Sequence, residues 1–259
     1  MAQDKWSSKQ YLMFENERTR PVRDLLSAVP IAQARQVIDL GCGPGNSTEV
    51  LAQRFPSAKV SGLDSSADMI AAARKRMPDV NFEVADIHTW QTPVAFDVIL
   101  SNAVFQWVPG HETIFPALVS KLAEGGSLAI QMPDTQEEQP HRLMRELAED
   151  GPWADKLKDV GQARTALNSA DWYYGLLQPH CSRVDIWRTT YYHVLKEGPS
   201  AIVEWFKGSA LRPFLDPLSE EEKKAYLARY TDLVTRSHPA LADGSVLLPF
   251  PRLFMVATL

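Results

Sequence analysis

Short apolar runs alternate with helical stretches over residues 35–132, and this alternation limits the fold more than any other feature of the chain. The fourth apolar run, FDVILSNAV, is apolar along most of its length, as expected of a central strand buried on both faces. Strands that alternate with helices form a parallel sheet, because each helix returns the chain to the same end of the sheet. We predict strands at 36–40, 59–64, 81–86, 96–104 and 127–132 in a doubly wound α/β fold.

The alternation stops near residue 133. The β-branched and aromatic run at 184–195 and the closing run at 246–259 predict two more strands, paired antiparallel at the sheet edge. The prediction is a seven-stranded, mostly parallel sheet with an antiparallel last strand, in a chain that is effectively one domain. A helix at 111–122 is predicted to stop at Gly125-Gly126. The predicted segments are an N-terminal helical cap (1–34), an α/β core (35–133), a helical insertion (134–180) and the C-terminal part of the core with a helical insert (181–259).

The composition is that of an ordinary globular chain, with 45% hydrophobic residues and a formal net charge of −5 over 259 residues. Nucleic acids and anionic membranes are bound by broad basic surfaces, so we expect neither as a partner. No apolar run approaches the roughly 20 residues that span a bilayer. The two cysteines, Cys42 and Cys181, have no metal-ligand spacing. We therefore expect a cytoplasmic protein that holds no metal.

A glycine-rich loop, from Asp39 to Asn46, joins the first predicted strand to the first helix. Glycines let the backbone approach a ligand closely, and the next helix presents free N–H groups. The spacing is GxGxG, because Asn46 stands where the dinucleotide fingerprint has its third glycine. Asp39 would repel a pyrophosphate but attract the sulfonium and ammonium groups of S-adenosylmethionine. An unligated turn between strand and helix is the alternative interpretation.

Acidic residues also end the next two strands. Asp64 could accept hydrogen bonds from both hydroxyls of a ribose, and Asp86 with Ile87 could contact an adenine ring. Taken singly, Asp64 could instead cap a helix, and Asp86 could be a solvated loop acid. Because the carboxyl ends of parallel strands meet at one edge, we expect Asp39, Asp64 and Asp86 to line one crevice.

The glycine loop DLGCGPG, the two acidic strand ends and FDVILSNAVFQW follow one another in order. With these motifs the chain resembles the class I S-adenosylmethionine-dependent methyltransferases. The resemblance implies that S-adenosylmethionine is the cofactor, that S-adenosylhomocysteine is released and that no metal takes part. The cofactor-binding residues that it implies are Asp39, Gly41, Gly43 and Asn46 for the methionine end, Asp64 for the ribose, Asp86 and Ile87 for the adenine, and Asn102 near the methyl group. Ser65 is also predicted to bind the cofactor, and Tyr11 is expected to pack near it, together with Phe14.

The flanking segments KQYLMFENERTRPVRDLLSAVP, FQWVPGHETIFPALV, DIWRTTYYHVL and LLPFPRLFMVA extend the resemblance to nearly the whole chain. They resemble the methyltransferases that esterify trans-aconitate, which implies a small polycarboxylate substrate and a monomethyl ester product. A carboxylate is already ionised at neutral pH, so no catalytic general base is expected. The predicted substrate-binding residues are Arg18, Arg20, Trp107, His111, Tyr192, His193 and Arg212. Arg23 belongs to the same N-terminal arginine cluster, and Gln106 follows the fourth strand at the mouth of the crevice. Lys207 and Arg252 are undistinguished possibilities.

Three other interpretations stay open. The acceptor could be another small carboxylic acid or a malonyl thioester, since only the flanks of the core distinguish acceptors. A doubly wound sheet also suits a NAD-dependent oxidoreductase, although Asp39 and Asn46 argue against a bound dinucleotide. The chain could also bind S-adenosylmethionine as a regulatory module without turnover.

Overall fold

The structure is a computed structural model that describes residues 15–160 and 167–259, with side chains from residue 19 onward in the first range. Its strands are β1 (Gln36–Leu40), β2 (Lys59–Asp64), β3 (Asn81–Val84), β4 (Phe96–Asn102), β5 (Leu122–Pro133), β6 (Arg183–Leu195) and β7 (Val246–Thr258). Its helices are α1 (Glu15–Ser27), α2 (Asn46–Arg54), α3 (Ala67–Arg76), α4 (His111–Val119), α5 (Gln139–Glu149), α6 (Ala154–Leu157), α7 (Ala170–Leu177), α8 (Ser200–Lys207), α9 (Arg212–Leu215) and α10 (Glu220–Ser237).

The seven strands form one sheet in the order β3-β2-β1-β4-β5-β7-β6. The first five strands run parallel. The last strands are antiparallel, since the amide of Leu259 donates to Gly126 O and that of Asp134 to Pro251 O, so one strand ascends while the other descends. The predicted fold class, mostly parallel with an antiparallel end, is confirmed.

The central strands β1 and β4 account for the strongest apolar runs in the sequence. Val37, Leu40, Val98 and Ile99 are fully buried, as a strand covered on both faces requires. Each such side chain contributes about 1.5–3 kcal/mol through the removal of apolar surface from water. The sheet order brings the tips of β1, β2 and β4 together at one edge, where the loops that follow them meet.

The glycine pair at 125–126 does not stop a helix, and that prediction is wrong. Helix α4 already ends at Val119, and the pair lies inside β5. Gly125 has φ +71°, and a Cβ on Gly126 would lie 2.7 Å from the carbonyl oxygen of Phe96. The register of β4 against β5 shifts between Phe96 and Val98. The glycines are therefore needed for a bulge where two strands approach closely.

The chain divides into two compact units. Among the described residues, unit 1 holds 15–132, Leu167–Thr189 and Leu253–Leu259, and unit 2 holds 133–160 and Thr190–Arg252. The segment boundaries predicted from the sequence stay a prediction.

Buried tyrosine hydroxyls stabilise unit 2. The hydroxyl of Tyr226 donates to Met144 O at 2.8 Å, and that of Tyr230 donates to Pro140 O at 3.1 Å, which joins α10 to α5.

Within the described ranges, no helix is long and apolar enough to cross a bilayer.

Candidate active site

The loop between β1 and α2 turns sharply because its three glycines, Gly41, Gly43 and Gly45, have positive φ angles. Gly41 has φ +70°, and a Cβ there would lie 2.3 Å from a side-chain methyl of Val104. Gly43 has φ +53°, but a Cβ there would meet no atom within 4 Å. The first glycine is therefore required by packing inside the protein, whereas the second leaves open space beside the backbone.

That space belongs to a crevice in unit 1. The backbone of the loop supplies one wall, helix α1 supplies a second, and Asn102 at the end of β4 supplies a third. The lining residues are Thr19, Val22, Gly41, Cys42, Gly43, Pro44, Asn46, Ser47 and Asn102. Four of the predicted cofactor residues therefore line this crevice: Gly41, Gly43, Asn46 and Asn102.

Asp64 fixes the loop to the end of β2. Its Oδ2 accepts the N–H of Gly43 at 2.9 Å, and its Oδ1 accepts the N–H of Ser66 at 2.9 Å. Ser66 in turn caps α3 through its side chain, while Ser65 is exposed. A contact from Asp64 to ribose hydroxyls stays a prediction.

Asp39 is fully buried and is not among the residues that line the crevice. Its Oδ2 accepts the hydroxyls of Ser47 at 2.6 Å and Thr48 at 2.7 Å, whereas its Oδ1 is buried with no hydrogen-bond partner among the described residues. Burial raises the pKa of Asp39 from 3.8 to about 7, against the lowering effect of the two hydroxyls. A cation in the crevice would favour the ionised form.

Asp86 differs from the other two acids. It lies two residues beyond β3, is exposed, and accepts the amide N–H of His88 at 2.9 Å, with the His88 ring Nδ1 at 3.0 Å. These hydrogen bonds to His88 hold the pKa of Asp86 below its ordinary value. Ile87 is half-buried against the core of unit 1. The acids therefore follow three adjacent strands, but none of them is among the residues that line the crevice, and their role in cofactor binding stays a prediction.

The turn after β4 contains a strained residue that the sequence did not reveal. Ala103 has φ +58°, which costs a residue with a side chain about 1 kcal/mol or more. Its N–H donates to Gln131 O at 2.8 Å, and its carbonyl accepts the side-chain amide of Gln106 at 2.7 Å. Gln106, expected at the mouth of the crevice, is buried and supports this turn. The turn sets the direction of the preceding Asn102.

His111 lies in the interior of unit 1 rather than on an accessible wall. Its Nε2 is 2.8 Å from Phe105 O, and its Nδ1 is 2.9 Å from the hydroxyl of Tyr173. A carbonyl only accepts, so Nε2 carries the hydrogen and Nδ1 accepts from the tyrosine. Since both nitrogens are engaged, the geometry argues against the predicted substrate contact. Trp107 is half-buried at the end of the 3-10 turn, and its role stays a prediction.

The predicted arginine cluster on α1 faces solvent where it is described. The Arg20 side chain is 73% exposed and lies 3.9 Å from Asp24, and Arg23 is also exposed. This arrangement is typical of a solvated helix face. Tyr11, Phe14 and the side chain of Arg18 lie outside the described residues.

Unit 2 holds the other predicted substrate residues. Strand alternation is as expected, with Tyr191 and His193 buried and Tyr192 63% exposed on the opposite face. The His193 ring stacks on Trp205, with centroids 4.5 Å apart and an interplanar angle of 25°. Arg212 is half-buried at the start of α9. No group of three or more His, Cys, Asp or Glu side chains that could hold a metal occurs in the described part of the chain.

The mostly parallel sheet, with a glycine loop and a crevice at the tip of β1, is a doubly wound α/β fold, and the comparisons with known proteins identify it as a methyltransferase. A family model described as "Methyltransferase domain" matches residues 31–198. The YcgJ protein of Bacillus subtilis has a similar fold, with a TM-score of 0.60 at 11% identity, over 92% of this chain and 97% of that one.

Two relatives define the family more closely. A protein of Rhodopseudomonas palustris (strain BisB18) named trans-aconitate 2-methyltransferase is 53% identical over 97% of this chain and 98% of its own. A protein of the same name from Yersinia pestis (strain Pestoides F) is 48% identical over 97% of each chain. The chain belongs to the trans-aconitate 2-methyltransferase family.

Proposed function

We propose that this protein transfers the methyl group of S-adenosylmethionine to a carboxylate of trans-aconitate, giving a monomethyl ester and S-adenosylhomocysteine. The observation that carries the proposal is the near full-length similarity, at about half the residues identical, to proteins named trans-aconitate 2-methyltransferase. The similarity extends over both compact units and is not confined to the segment that the family model matches.

The crevice in unit 1 fits the proposed cofactor. The open space at Gly43 allows a ligand to approach the backbone, and the buried Oδ1 of Asn102 has no partner among the described residues. Gly41, Gly43, Asn46 and Asn102 would hold the methionine portion, and Asp64 with Ser65 the ribose. Asp39 would supply negative charge close behind Ser47. When bound, S-adenosylmethionine supplies a methyl group activated by its positively charged sulfur.

The residues of the chain then have to bind, orient and exclude water rather than move a proton. An aliphatic carboxylate has a pKa near 4, so the acceptor is already a nucleophile at neutral pH. The turn at Ala103 sets the direction of Asn102, and the hydrogen bond from the Gly43 N–H to Asp64 holds the loop on the other side of the crevice. Alignment of two reactants in this way can lower a barrier by about 7–11 kcal/mol in favourable cases.

Methyl transfer from a radiolabelled donor tests the proposal directly. The acceptors are trans-aconitate, cis-aconitate, citrate and a malonyl thioester, each at several concentrations, with the ester identified by mass spectrometry. We expect the highest kcat/KM for trans-aconitate. Equal or better transfer to another acceptor would replace the substrate, and donor binding without transfer to any of them would favour a regulatory module. A cytoplasmic location and the absence of a nucleic-acid partner remain predictions from composition.

A further inference from the structure

His88 joins two loops of unit 1 that follow different strands. Its ring Nδ1 lies 3.0 Å from Oδ1 of Asp86, just beyond β3, and its Nε2 lies 3.3 Å from the carbonyl oxygen of Pro109, beyond the 3-10 turn that follows β4. The sheet order places β2 and β1 between β3 and β4, a separation of about 14 Å at the usual strand spacing. The ring therefore connects loops from strands that are not neighbours in the sheet.

The contacts of the ring determine its protonation state. An ionised carboxylate and a carbonyl oxygen both accept and cannot donate, so each ring nitrogen has to carry a hydrogen to make its bond. Asp86 is ionised, because hydrogen bonds from the amide and the ring of His88 hold its pKa below the ordinary value. His88 is therefore doubly protonated and positively charged. His111 differs, since its Nδ1 accepts from the Tyr173 hydroxyl and its ring is satisfied in the neutral form.

Few other charges surround the ring. Among the described residues, Asp86 is the only charged group with a recorded contact to it. The segment that holds Pro109, residues 105–110, contains no titratable side chain. Beyond that segment, the His111 ring is engaged in the core, and Glu112 is exposed at the start of α4. A neutral ring could keep only one of its two hydrogen bonds, so loss of a proton from His88 would break the link between the loops.

Asp86 has one oxygen left for a ligand. Both hydrogen bonds from His88, one from its amide at 2.9 Å and one from its ring, are made to Oδ1, and no described residue donates to Oδ2. The side chain of Asp86 is 61% exposed. The amino group of adenine is a hydrogen-bond donor, whereas the carbonyl that replaces it in hypoxanthine is an acceptor. A carboxylate that contacts this group of the base therefore favours adenine.

We propose that His88 is a positioning residue for S-adenosylmethionine: its protonated ring holds the Asp86 carboxylate where it accepts the amino group of adenine, and ties this loop to Pro109. The inference rests on the function proposed above, in the part that concerns the donor. It makes recognition of the adenine depend on pH, because a histidine ring changes charge between about pH 5 and 8. The effect is modest, since water competes for both partners of an exposed ion pair.

The test measures binding at the donor site of the full-length protein. Calorimetry gives the Kd of S-adenosylhomocysteine and of S-inosylhomocysteine, in which a carbonyl replaces the adenine amino group, at about pH 5.5 and about pH 8. His88→Gln has a single donor nitrogen, as a neutral ring has, and so cannot bridge both loops. His180→Gln is the matched control, because His180 is an exposed histidine of unit 1 in the turn before β6. Asp86→Asn, alone and combined with His88→Gln, tests whether His88 acts through Asp86.

We expect the wild type to prefer S-adenosylhomocysteine. At the lower pH, His88→Gln should reduce this preference about 2- to 5-fold, the range that exposed ion pairs give, and at the higher pH the two proteins should converge. Burial raises the pKa of Asp39 to about 7, but Asp39 titrates alike in both proteins, so the ratio of their Kd values removes its effect. His180→Gln should match the wild type throughout, and His88→Gln should change nothing once residue 86 is asparagine.

Equal weakening of both ligands by His88→Gln would mean that the ring only stabilises the fold, and that outcome overturns the inference. An effect of His88→Gln that persists beside Asp86→Asn overturns it as well. If circular dichroism shows that His88→Gln is unfolded, the wild type decides, and a preference that does not fall as the pH rises overturns the inference. A wild type that binds neither ligand overturns the proposed function too, whereas binding with a preference that His88→Gln leaves unchanged overturns only the role of His88.

Discussion

Replacing Asp39 with asparagine removes a carboxylic acid that the fold buries completely. In the wild type, the hydroxyls of Ser47 and Thr48 donate to Oδ2 of Asp39 at 2.6 and 2.7 Å. The asparagine amide keeps an oxygen that can accept both hydrogen bonds. Its NH₂ group would lie where the buried Oδ1 has no partner among the described residues. The substitution therefore changes the charge of the site far more than its shape, and its effect should depend on pH.

The sign and size follow from the pKa. Burial raises the pKa of Asp39 from 3.8 to about 7, so the folded protein binds this proton more tightly than the unfolded chain does. Below about pH 4 both states are protonated and the acid costs nothing. Between about pH 4 and pH 7 the unfolded chain has lost this proton while the folded protein still holds it, so stability falls as the pH rises and levels off above 7. Each tenfold change in proton affinity corresponds to about 1.4 kcal/mol, so the free energy of unfolding falls by about 4 kcal/mol between pH 4 and pH 8.

Urea unfolding between pH 4.5 and 8, followed by circular dichroism, measures the effect as a difference between variant and wild type. We expect Asp39→Asn to gain stability relative to the wild type as the pH rises, by several kcal/mol over the range, while its affinity for S-adenosylmethionine at pH 8 falls. Asp79→Asn, in an exposed turn, is the control and should show a constant difference. A difference between Asp39→Asn and wild type that does not change with pH would refute the reasoning.

Three further substitutions test the loop and the core. Gly41→Ala should destabilise the protein by several kcal/mol and abolish donor binding, because the added methyl would lie 2.3 Å from a methyl of Val104. Gly125→Ala is its control: Gly125 has a similar φ but open space around it, so this variant should lose only about 1–2 kcal/mol of stability in thermal unfolding. Asp64→Asn should weaken donor binding by about 1.5–3 kcal/mol in calorimetry, and unchanged affinity would contradict the ribose assignment. Tyr173→Phe should lose about 1 kcal/mol of stability without a change in KM for the acceptor, whereas a raised KM would return His111 to the substrate site.

The fold class was predictable because it depends on periodicity. The apolar run that became β4 and the glycine loop before α2 each fix an element by local chemistry, and the order of elements then limits the topology to a parallel sheet. The glycine pair at 125–126 was wrongly predicted to end a helix, because a glycine that ends a helix and a glycine that permits a bulge cannot be told apart in a sequence. Only the proximity of Phe96 O, from another strand, separates the two cases.

The site was predictable where backbone geometry determines it, and less so where side-chain environment does. Gly41, Gly43 and Asn102 line one crevice, because their positions at strand tips follow from the topology. Asp39 and His111 are placed at the expected ends of elements, yet burial decides what their polar atoms contact. The type of a residue does not tell whether it is buried, since a histidine can hydrogen-bond a tyrosine in the core or contact a substrate equally well.

The same reasoning explains why overall charge was a poor guide to the ligands. A net charge of −5 argues against polyanionic partners, yet the proposed acceptor is a polyanion and the proposed donor a cation. For the donor, the structure offers one buried group of opposite charge, Asp39, close behind the loop in unit 1. A buried charge acts through a medium of lower effective permittivity than the surface, so one such group can outweigh several exposed ones. A cation bound beside Asp39 would favour its ionised form and so offset part of the free energy that burial costs this carboxylate.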